Sequence, residues 1–254
     1  MTMRLALWQA ASPAGEVAAG LAGLRRALAG AAAAGADVLV GPESFLPGYN
    51  HDRIADMAQP RGGDWHRMLS AMAWQAGCAL VLGYAERDGA QVFNSAVAFG
   101  ADGAELAHYR KIQLYGPREK AIYAPGECYA TFVLSGRTLG LLICYDVEFA
   151  PHVASLAARG ADVLLVPTAN MLPYTHVAEA TVPSMSANNA IGIVYANYCG
   201  VEGDLAYAGG SVITGPHGEV LAKAGPGEAL LIADLPARDP ARMYNMAADY
   251  RAGR

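Results

Sequence analysis

Cys144 is the residue of this sequence with the clearest potential for nucleophilic chemistry. It follows the apolar run 138–143, which is short enough for a buried strand, and it precedes a polar turn and a helix-like segment. Ligands of open α/β sheets bind outside the carboxyl ends of the strands, and a helix start adds N–H groups and a positive dipole end. Both effects would favour the nucleophilic thiolate. The competing interpretation is a small buried hydrophobic residue, because free cysteine is often buried.

Three charged residues occupy similar positions between strand-like and loop-like segments. Glu43 follows the apolar run 37–41, Lys111 precedes a loop rich in Gly and Pro, and Glu119 lies within that loop. Taken singly, such residues are usually solvated loop charges. Together with a thiol they form a chemical set, because a carboxylate in an apolar pocket can accept the thiol proton. An ammonium and a backbone N–H, here Lys111 and Tyr145, can stabilise the oxyanion formed by attack on an amide.

A histidine is the alternative base, and metal chemistry is the alternative to a thiol nucleophile. The histidines are scattered, mostly in polar or surface-like contexts, at His51, His66, His108, His152, His176 and His217. The sequence has no HxH, HExxH or carboxylate–histidine cluster, so it does not indicate a metal hydrolase. No metal or other cofactor is expected.

Composition narrows the class of protein. The chain has 254 residues, of which 54% are hydrophobic and 16% charged, so it can bury a large core, and no segment resembles a linker. We therefore expect one domain. The net charge is −5 and there is no basic run, which argues against nucleic-acid binding. No signal peptide or membrane-spanning segment is recognised, so we expect a cytoplasmic protein.

Apolar periodicity predicts alternating strands and helices. Strands are predicted over 4–9, 37–41, 79–84, 92–99, 105–112, 138–143, 161–167, 192–197, 208–214 and 229–234, and helices over 16–34, 65–77, 153–159 and 173–190. Segment 116–126 is predicted to be a long structured loop. Alternation of strands and helices suggests βαβ units, whereas hairpins at 84–99 and 211–222 imply antiparallel pairs, so a mixed sheet is expected. Segment 236–254, which has little apolar content beyond Met243, Tyr244, Met246 and Tyr250, could cover another subunit or fray.

The sequence resembles the nitrilase, or carbon–nitrogen hydrolase, superfamily from Leu5 to about Asp234. Three blocks in order carry the resemblance: GPESFLPGY at 41–49, YRKIQLYG at 109–116 and LICYDVEF at 142–149. Each block contains one of the candidate catalytic residues. The resemblance implies an α/β fold, a four-layer αββα sandwich with mixed sheets, formed by a single carbon–nitrogen hydrolase domain over 1–254.

The resemblance also implies roles for individual residues. Cys144 would be the nucleophile, Glu43 the general base and then acid, and Lys111 the oxyanion partner. Glu119 would be the second carboxylate that holds the lysine and positions the substrate. Members often associate through helices near the nucleophile and through the C-terminal tail, which implies a homodimer or a larger homo-oligomer here.

One block departs from the family pattern. Family members commonly have Phe-Pro-Glu where this chain has Phe149 followed by Ala150, Pro151 and His152. The proline still suits the first turn of a helix. The departure leaves the triad intact but puts a contact near the subunit interface in doubt.

The residues around the triad favour amides as substrates. True nitrilases usually have Trp-Glu after the nucleophile, whereas this chain has Tyr145 and Asp146. Segments 167–174 and 196–200 resemble bacterial amidases that act on small aliphatic or amino-acid amides. Asn170 could line the pocket with its amide or form a turn before Pro173. The candidate apolar wall of the pocket is Tyr49, Tyr115, Phe149 and Tyr174, while Cys78, Cys128 and Cys199 are interpreted as structural.

The sequence therefore predicts an amidase that releases ammonia from a small primary amide through a covalent thioester. An N-carbamoyl amidohydrolase is the nearest rival, and it would need a basic residue for the substrate carboxylate, with Arg53, Arg118 and Lys120 as candidates. A nitrilase is a further alternative. A non-catalytic scaffold of the same fold should have lost a triad residue, and none is lost. The physiological amide, the stereochemical preference and the oligomer number are not specified by the sequence.

Overall fold

The structure is a computed structural model, and it describes residues 2–243, 249 and 251. Its strands are β1 Arg4–Ala11, β2 Val38–Val40, β3 Ala79–Asp88, β4 Gln91–Phe99, β5 Glu105–Arg110, β6 Ala130–Leu134, β7 Arg137–Leu141, β8 Val163–Pro167, β9 Gly192–Ala196, β10 Tyr198–Cys199, β11 Val201–Glu202, β12 Leu205–Ala206, β13 Val212–Thr214, β14 Val220–Lys223 and β15 Ala229–Asp234. Its helices are α1 Val17–Ala33, α2 Ile54–Met57, α3 Asp64–Ala76, α4 Gly116–Ile122, α5 Ala150–Ala158 and α6 Val182–Asn189. Shorter helical turns are the 3-10 helices Cys144–Glu148 and Pro240–Arg242 and the π-helix Val177–Thr181.

Two mixed sheets organise the described residues. One runs in the order β10-β1-β2-β3-β4-β5, with β15 also paired to β1, and the other runs in the order β14-β13-β9-β8-β7-β6. Strands β1, β2 and β3 are parallel, as are β7, β8 and β9, while the hairpins β3–β4 and β13–β14 are antiparallel. This confirms the expected mixture of βαβ units and hairpins.

Alternation along the strands creates the layers. Because successive strand residues point to opposite faces, Leu7 packs in a core shared with Leu141 of the second sheet, whereas Trp8 packs with Leu28 of α1 and Leu69 of α3. Helix α6 packs against β9 and β13, and α5 packs against α6. The order of layers is therefore helix, sheet, sheet, helix, which confirms the expected αββα sandwich. Each fully buried leucine contributes about 1.5–3 kcal/mol to this packing.

The structure differs from the sequence-based expectation around the catalytic candidates. Segment 116–126 is not a continuous loop, because helix α4 occupies Gly116–Ile122. Pro117 lies in the first turn of α4, where a backbone N–H has no partner within the helix. The missing N–H of proline is therefore tolerated at this position, and the proline begins a helix. The strand predicted over 138–143 ends at Leu141, and Cys144 begins a 3-10 helix. Helix α5 starts at Ala150 with Pro151 in its first turn, as expected for the altered family block.

Two further features concern the ends and surface of the chain. No helix among the described residues is both long and apolar enough to cross a membrane. Of the apolar tail residues, Met243 is described and exposed, whereas Tyr244, Met246 and Tyr250 lie outside the described residues. The predicted role of segment 236–254 at a subunit interface therefore stays a prediction.

Candidate active site

Cys144 lies at a sharp turn between strand β7 and the following 3-10 helix. Its φ is 46°, in the left-handed region that residues other than glycine rarely adopt. Such strained backbone positions are concentrated at functional sites, where surrounding contacts must hold them in place. The residue is half-buried and lines a cavity.

Asp146 supplies the contacts that hold this turn. Its Oδ2 accepts hydrogen bonds from the Tyr109 hydroxyl at 2.8 Å and from the Ile143 N–H at 3.0 Å. Its Oδ1 accepts one from the Gln113 N–H at 2.7 Å. The buried carboxylate thus joins the turn that carries Cys144 to the segment that follows Lys111.

Glu43 follows β2 in a loop packed tightly on strand β3. The Gly83 N–H donates to the Pro42 carbonyl at 3.0 Å, and the Gly83 carbonyl accepts from the Phe45 N–H at 2.8 Å. A Cβ atom at Gly83 would lie 2.3 Å from the Ser44 nitrogen, so only glycine permits this approach. The close packing fixes the backbone position of Glu43.

Lys111 follows β5 and is fixed in a similar way. Its N–H donates to the Asn94 carbonyl at 2.8 Å, and its carbonyl accepts from the Gly126 N–H at 2.7 Å. A Cβ atom at Gly126 would lie 2.1 Å from the Arg110 oxygen, so a larger residue could not occupy this position. Because β2 and β5 run in the same direction in one sheet, Glu43 and Lys111 emerge at the same edge.

The three charged candidates meet in one buried cluster. Lys111 Nζ donates to Glu43 Oε1 at 2.6 Å and to Glu119 Oε1 at 2.7 Å. Glu119, on α4, also accepts from the Tyr49 hydroxyl at 2.8 Å and from the Tyr115 N–H at 2.9 Å. These contacts hold Glu119 so that it can fix the lysine.

The second oxygen of Glu43 is the free acceptor of the cluster. Oε1 accepts from Lys111 and, at 2.7 Å, from Asn94 Nδ2, whereas Oε2 is buried and has no partner among the described residues. Burial raises the pKa of Glu43 to about 7, with Glu119 adding to the rise while Lys111 and Asn94 oppose it. Such a carboxylate is suited to take up and return a proton near neutral pH.

The pKa of Lys111 is set by the two carboxylates. Burial lowers the pKa of Lys111, but Glu119 and Glu43 outweigh this effect and hold it well above its usual range. The side chain is therefore an ammonium, fully buried and charged. This is the form that can stabilise an oxyanion.

The protonation state of Cys144 differs from the sequence-based expectation. Burial raises the pKa of the thiol well above its ordinary value, Glu43 adds to the rise, and Lys111 and a backbone hydrogen bond from Ala169 oppose it. The expectation of a thiolate at this position was therefore wrong, because desolvation and the nearby carboxylate outweigh the Lys111 ammonium and the backbone hydrogen bond. The resting thiol is neutral and needs a base to react.

A cavity of about 280 Å³ opens beside Cys144. Its lining residues are Tyr49, Tyr115, Cys144, Tyr145, Glu148, Ala169, Asn170, Met171, Tyr174, His176 and Val177. Five of the six residues predicted from sequence to bind substrate therefore reach the cavity. Phe149 does not line it, and the ring instead packs edge-on against Tyr145 with centroids 4.8 Å apart. In a 3-10 helix, side chains three residues apart lie on the same face of the helix. Glu148 therefore lies on the same face as Tyr145, and Phe149 points away from the cavity.

Asn170 was expected either to line the pocket or to form a turn before Pro173, and the structure shows features of both. It lines the cavity, and its Nδ2 donates to the Tyr174 carbonyl at 2.8 Å, which holds the loop that carries Tyr174. Its own N–H donates to Asn197 Oδ1 at 2.7 Å. The amide therefore shapes the cavity wall as well as facing it.

Sequence reasoning missed Asn94 and Glu148, and it considered His176 only as one of the scattered histidines. Asn94 could have been recognised as a polar residue within the apolar strand segment 92–99. Glu148 and His176 both line the cavity, but their positions depend on a 3-10 helix and on a loop that carry no clear sequence signal.

The basic residues that an N-carbamoyl amidohydrolase would need lie outside the cavity. Arg53 pairs with Asp56 at 3.4 Å and Arg118 donates to the His51 carbonyl at 3.2 Å, and neither these two nor Lys120 lines the described cavity. His66 and His152 are buried, contrary to the surface-like contexts expected of the histidines. Within the described ranges no group of three or more His, Cys, Asp or Glu side chains could hold a metal ion.

Comparison with known proteins places this geometry in a family context. Residues 4–243 match the family model described as carbon-nitrogen hydrolase. The chain is 41% identical to the "Hydrolase in pqqF 5'region" of Pseudomonas protegens over 92% of its length and 83% of that protein. It is 34% identical to an (R)-stereoselective amidase of Pseudomonas sp. over 92% of its length and 85% of that protein.

A solved structure gives a further comparison. An amidase from Nesterenkonia sp. superposes with a TM-score of 0.88 and 39% identity, covering 92% of this chain and 90% of that one. In one glutamate variant of the Nesterenkonia amidase the acetamide moiety of fluoroacetamide is added covalently at the active-site cysteine, and in another, acrylamide is added there.

Proposed function

The chain belongs to the carbon–nitrogen hydrolase family, the nitrilase superfamily, and we propose that it hydrolyses a small primary amide to a carboxylic acid and ammonia. The observation that supports this most directly is the buried cluster of Glu43, Lys111 and Glu119 beside a neutral Cys144 thiol. It provides a free carboxylate oxygen, a fixed cation and a nucleophile in one site.

The first half-reaction forms a thioester. Glu43 Oε2 takes the thiol proton as the Cys144 sulfur bonds to the amide carbon, and the carbonyl π electrons move to oxygen. The Lys111 ammonium and the N–H of Tyr145, at the start of the 3-10 helix, stabilise this oxyanion. Glu43 then gives its proton to the amide nitrogen, the C–N bond breaks, and ammonia leaves.

The second half-reaction returns the enzyme to its starting state. Glu43 removes a proton from water as the water oxygen bonds to the thioester carbon. Collapse of the tetrahedral intermediate breaks the C–S bond, and the proton passes from Glu43 to the sulfur of Cys144. One amide and one water are consumed, and one acid and one ammonia are produced.

The comparisons and the cavity favour amides over the rivals. In two glutamate variants of the Nesterenkonia amidase, small amide compounds are added covalently at the active-site cysteine, and the fold of that amidase covers 92% of this chain. An N-carbamoyl amidohydrolase would need a cation for the substrate carboxylate, and no Lys or Arg lines the described cavity. We therefore propose an aliphatic amide of a size that fits about 280 Å³.

The test is intact-mass spectrometry combined with ammonia release. The wild type, Cys144→Ala and the exposed-cysteine control Cys128→Ala are incubated with primary amides, nitriles and N-carbamoyl amino acids. We expect a transient acyl adduct and ammonia from amides with the wild type and Cys128→Ala, and neither with Cys144→Ala. Activity retained by Cys144→Ala would refute the thioester mechanism, and carbon dioxide released from carbamoyl substrates alone would favour the rival.

A further inference from the structure

The cavity contains a carboxylate for which the proposed hydrolysis has no use. Glu148 is the one acidic residue that lines the described cavity, and no Lys or Arg lines it. Glu148 ends the 3-10 helix that Cys144 begins, so one short element positions both the nucleophile and this charge. The cavity is therefore electrostatically asymmetric.

Glu148 differs from the other shielded carboxylates in having no partner among the residues that the structure describes. Glu119 accepts from Lys111 and Glu86 is paired with Arg110, whereas no hydrogen bond or ion pair in the described part of the chain engages Glu148. The side chain is half-buried, and burial raises the pKa of Glu148 while His176 and Lys111 oppose the rise. Lys111 already binds two carboxylates, and His176, which also lines the cavity, is exposed.

An ammonium group is the ligand that such an environment favours. Partial burial removes some of the water that would otherwise solvate the Glu148 carboxylate. A cation bound next to the carboxylate replaces the hydrogen bonds and the charge stabilisation that this water supplied. Tyrosine rings also surround the space, with Tyr115 edge-on to Tyr145 at 5.3 Å and to Tyr174 at 6.3 Å. Aromatic faces attract cations and repel anions.

The spacing along the helix sets where the cation must lie on the substrate. A 3-10 helix rises about 2.0 Å per residue, so the Cα atoms of Cys144 and Glu148 are separated by roughly 8 Å along the axis. Both residues line the same cavity. When the carbonyl carbon of an amide lies at Cys144, an ammonium group on the α- or β-carbon of that amide would lie near Glu148.

We propose that Glu148 is a specificity-determining residue that selects primary amides carrying an ammonium group on the α- or β-carbon. The inference rests on the proposed amide hydrolysis and adds a substrate class to it. Glu148 binds the remote cation and takes no part in the chemical step, so its effect falls mainly on KM.

Matched substrate pairs separate charge from shape. Alaninamide and isobutyramide have nearly the same shape, as do β-alaninamide and butyramide, but only the first of each pair carries an ammonium. We expect wild-type kcat/KM to favour the ammonium substrate by about tenfold or more. Glu148→Gln keeps the size of the side chain and should remove most of this preference through a higher KM, leaving the neutral amides within about twofold.

Two further variants control the experiment. Glu16→Gln removes an exposed carboxylate at the start of α1 and should leave both substrate classes unchanged. Glu148→Lys should shift the preference from alaninamide towards succinamate, a primary amide that carries a carboxylate. A melting temperature equal to that of the wild type establishes that each variant is folded.

The outcomes distinguish this inference from the proposed function. If the wild type hydrolyses neutral amides as well as ammonium amides, or if Glu148→Gln lowers kcat/KM equally for both, Glu148 does not select a cation and amide hydrolysis still stands. If the wild type releases ammonia from no amide, the proposed function fails and the inference fails with it.

Discussion

Lys111 Nζ and Glu43 Oε1 lie 2.6 Å apart in an ion pair whose side chains are completely buried. Removing two charges from water costs several kcal/mol per ion, and hydrogen bonds to the remaining polar groups must offset this cost. Asn94 donates to Glu43, and Glu119 binds the other side of Lys111. Among the described residues, this arrangement leaves Glu43 Oε2 without a hydrogen-bond partner, beside a neutral thiol.

The pH dependence of turnover follows from this environment. Since burial raises the pKa of Glu43 to about 7, the carboxylate is protonated below neutrality and cannot accept the thiol proton. We expect kcat/KM for a neutral amide to fall about tenfold per pH unit below about pH 7 and to level off above it.

The profile is measured as kcat/KM between about pH 5 and about pH 9. Circular dichroism at each pH serves as the control, because loss of the fold would also lower the rate. A kcat/KM that stays level down to about pH 5 would contradict the raised pKa of Glu43, because the fall would then lie nearer the ordinary glutamate value of about 4.3.

Replacing Lys111 by methionine should harm both activity and stability. The substitution keeps the length of the side chain but leaves the Glu43 and Glu119 carboxylates buried without their cation. Breaking a buried pair by removing one partner costs about 3–5 kcal/mol. We expect urea unfolding to show a loss of this size and ammonia release to become undetectable.

A double variant tests the cause of that loss. Adding Glu43→Gln to Lys111→Met removes one of the two stranded carboxylates, so part of the lost free energy of unfolding should return while activity stays absent. If the double variant is no more stable than Lys111→Met, the loss reflects packing of the lysine stem and not uncompensated charge.

Much of the candidate catalytic cluster could be predicted from sequence because its members lie next to the ends of strands. Cys144, Glu43 and Lys111 each lie just beyond a strand whose apolar pattern was recognised. Because β2 and β5 run in the same direction, Glu43 and Lys111 lie at the same edge of their sheet. The resemblance to the nitrilase superfamily was confirmed by the family match over residues 4–243.

The cavity wall was harder to predict because it depends on local helix type. In an α-helix Tyr145 and Phe149 would share a face, whereas the 3-10 helix places Glu148 with Tyr145 and turns Phe149 away. Periodicity alone does not distinguish the two over five residues. Helix α4 was missed for a similar reason, because its Gly and Pro residues read as loop signals.

Tyr49 should act through Glu119. The Tyr49 hydroxyl donates to the same Glu119 oxygen that binds Lys111, so Tyr49→Phe loosens the carboxylate that positions the lysine. We expect kcat to fall about tenfold and the melting temperature to change little. In a Glu119→Gln background, where kcat is already reduced, adding Tyr49→Phe should have a much smaller effect.

This cycle is measured as kcat and KM for the wild type, both single variants and the double variant. Tyr123→Phe is the matched control, because the Tyr123 hydroxyl is equally buried but contacts Ser44 and not Glu119. Additive losses in kcat for Tyr49→Phe and Glu119→Gln would show that the two residues act independently.

Asp146 should be required for the geometry at Cys144. Asp146→Ala leaves the buried Tyr109 hydroxyl, the buried Ile143 N–H and the part-buried Gln113 N–H without this acceptor, and each buried group costs about 1–3 kcal/mol. We therefore expect a loss of about 3–5 kcal/mol in the free energy of unfolding and a kcat reduced by more than about tenfold.

Comparison with two other variants separates bracing of the turn from a general loss of stability. Tyr109→Phe removes only one of the three hydrogen bonds to Asp146 and should cost about 1 kcal/mol with a small loss of kcat. Asp56→Ala removes an exposed carboxylate paired with Arg53 and should change stability by less than about 0.5 kcal/mol. If Asp146→Ala unfolds like the wild type and keeps its kcat, the left-handed backbone of Cys144 is maintained by other contacts and Asp146 does not position the nucleophile.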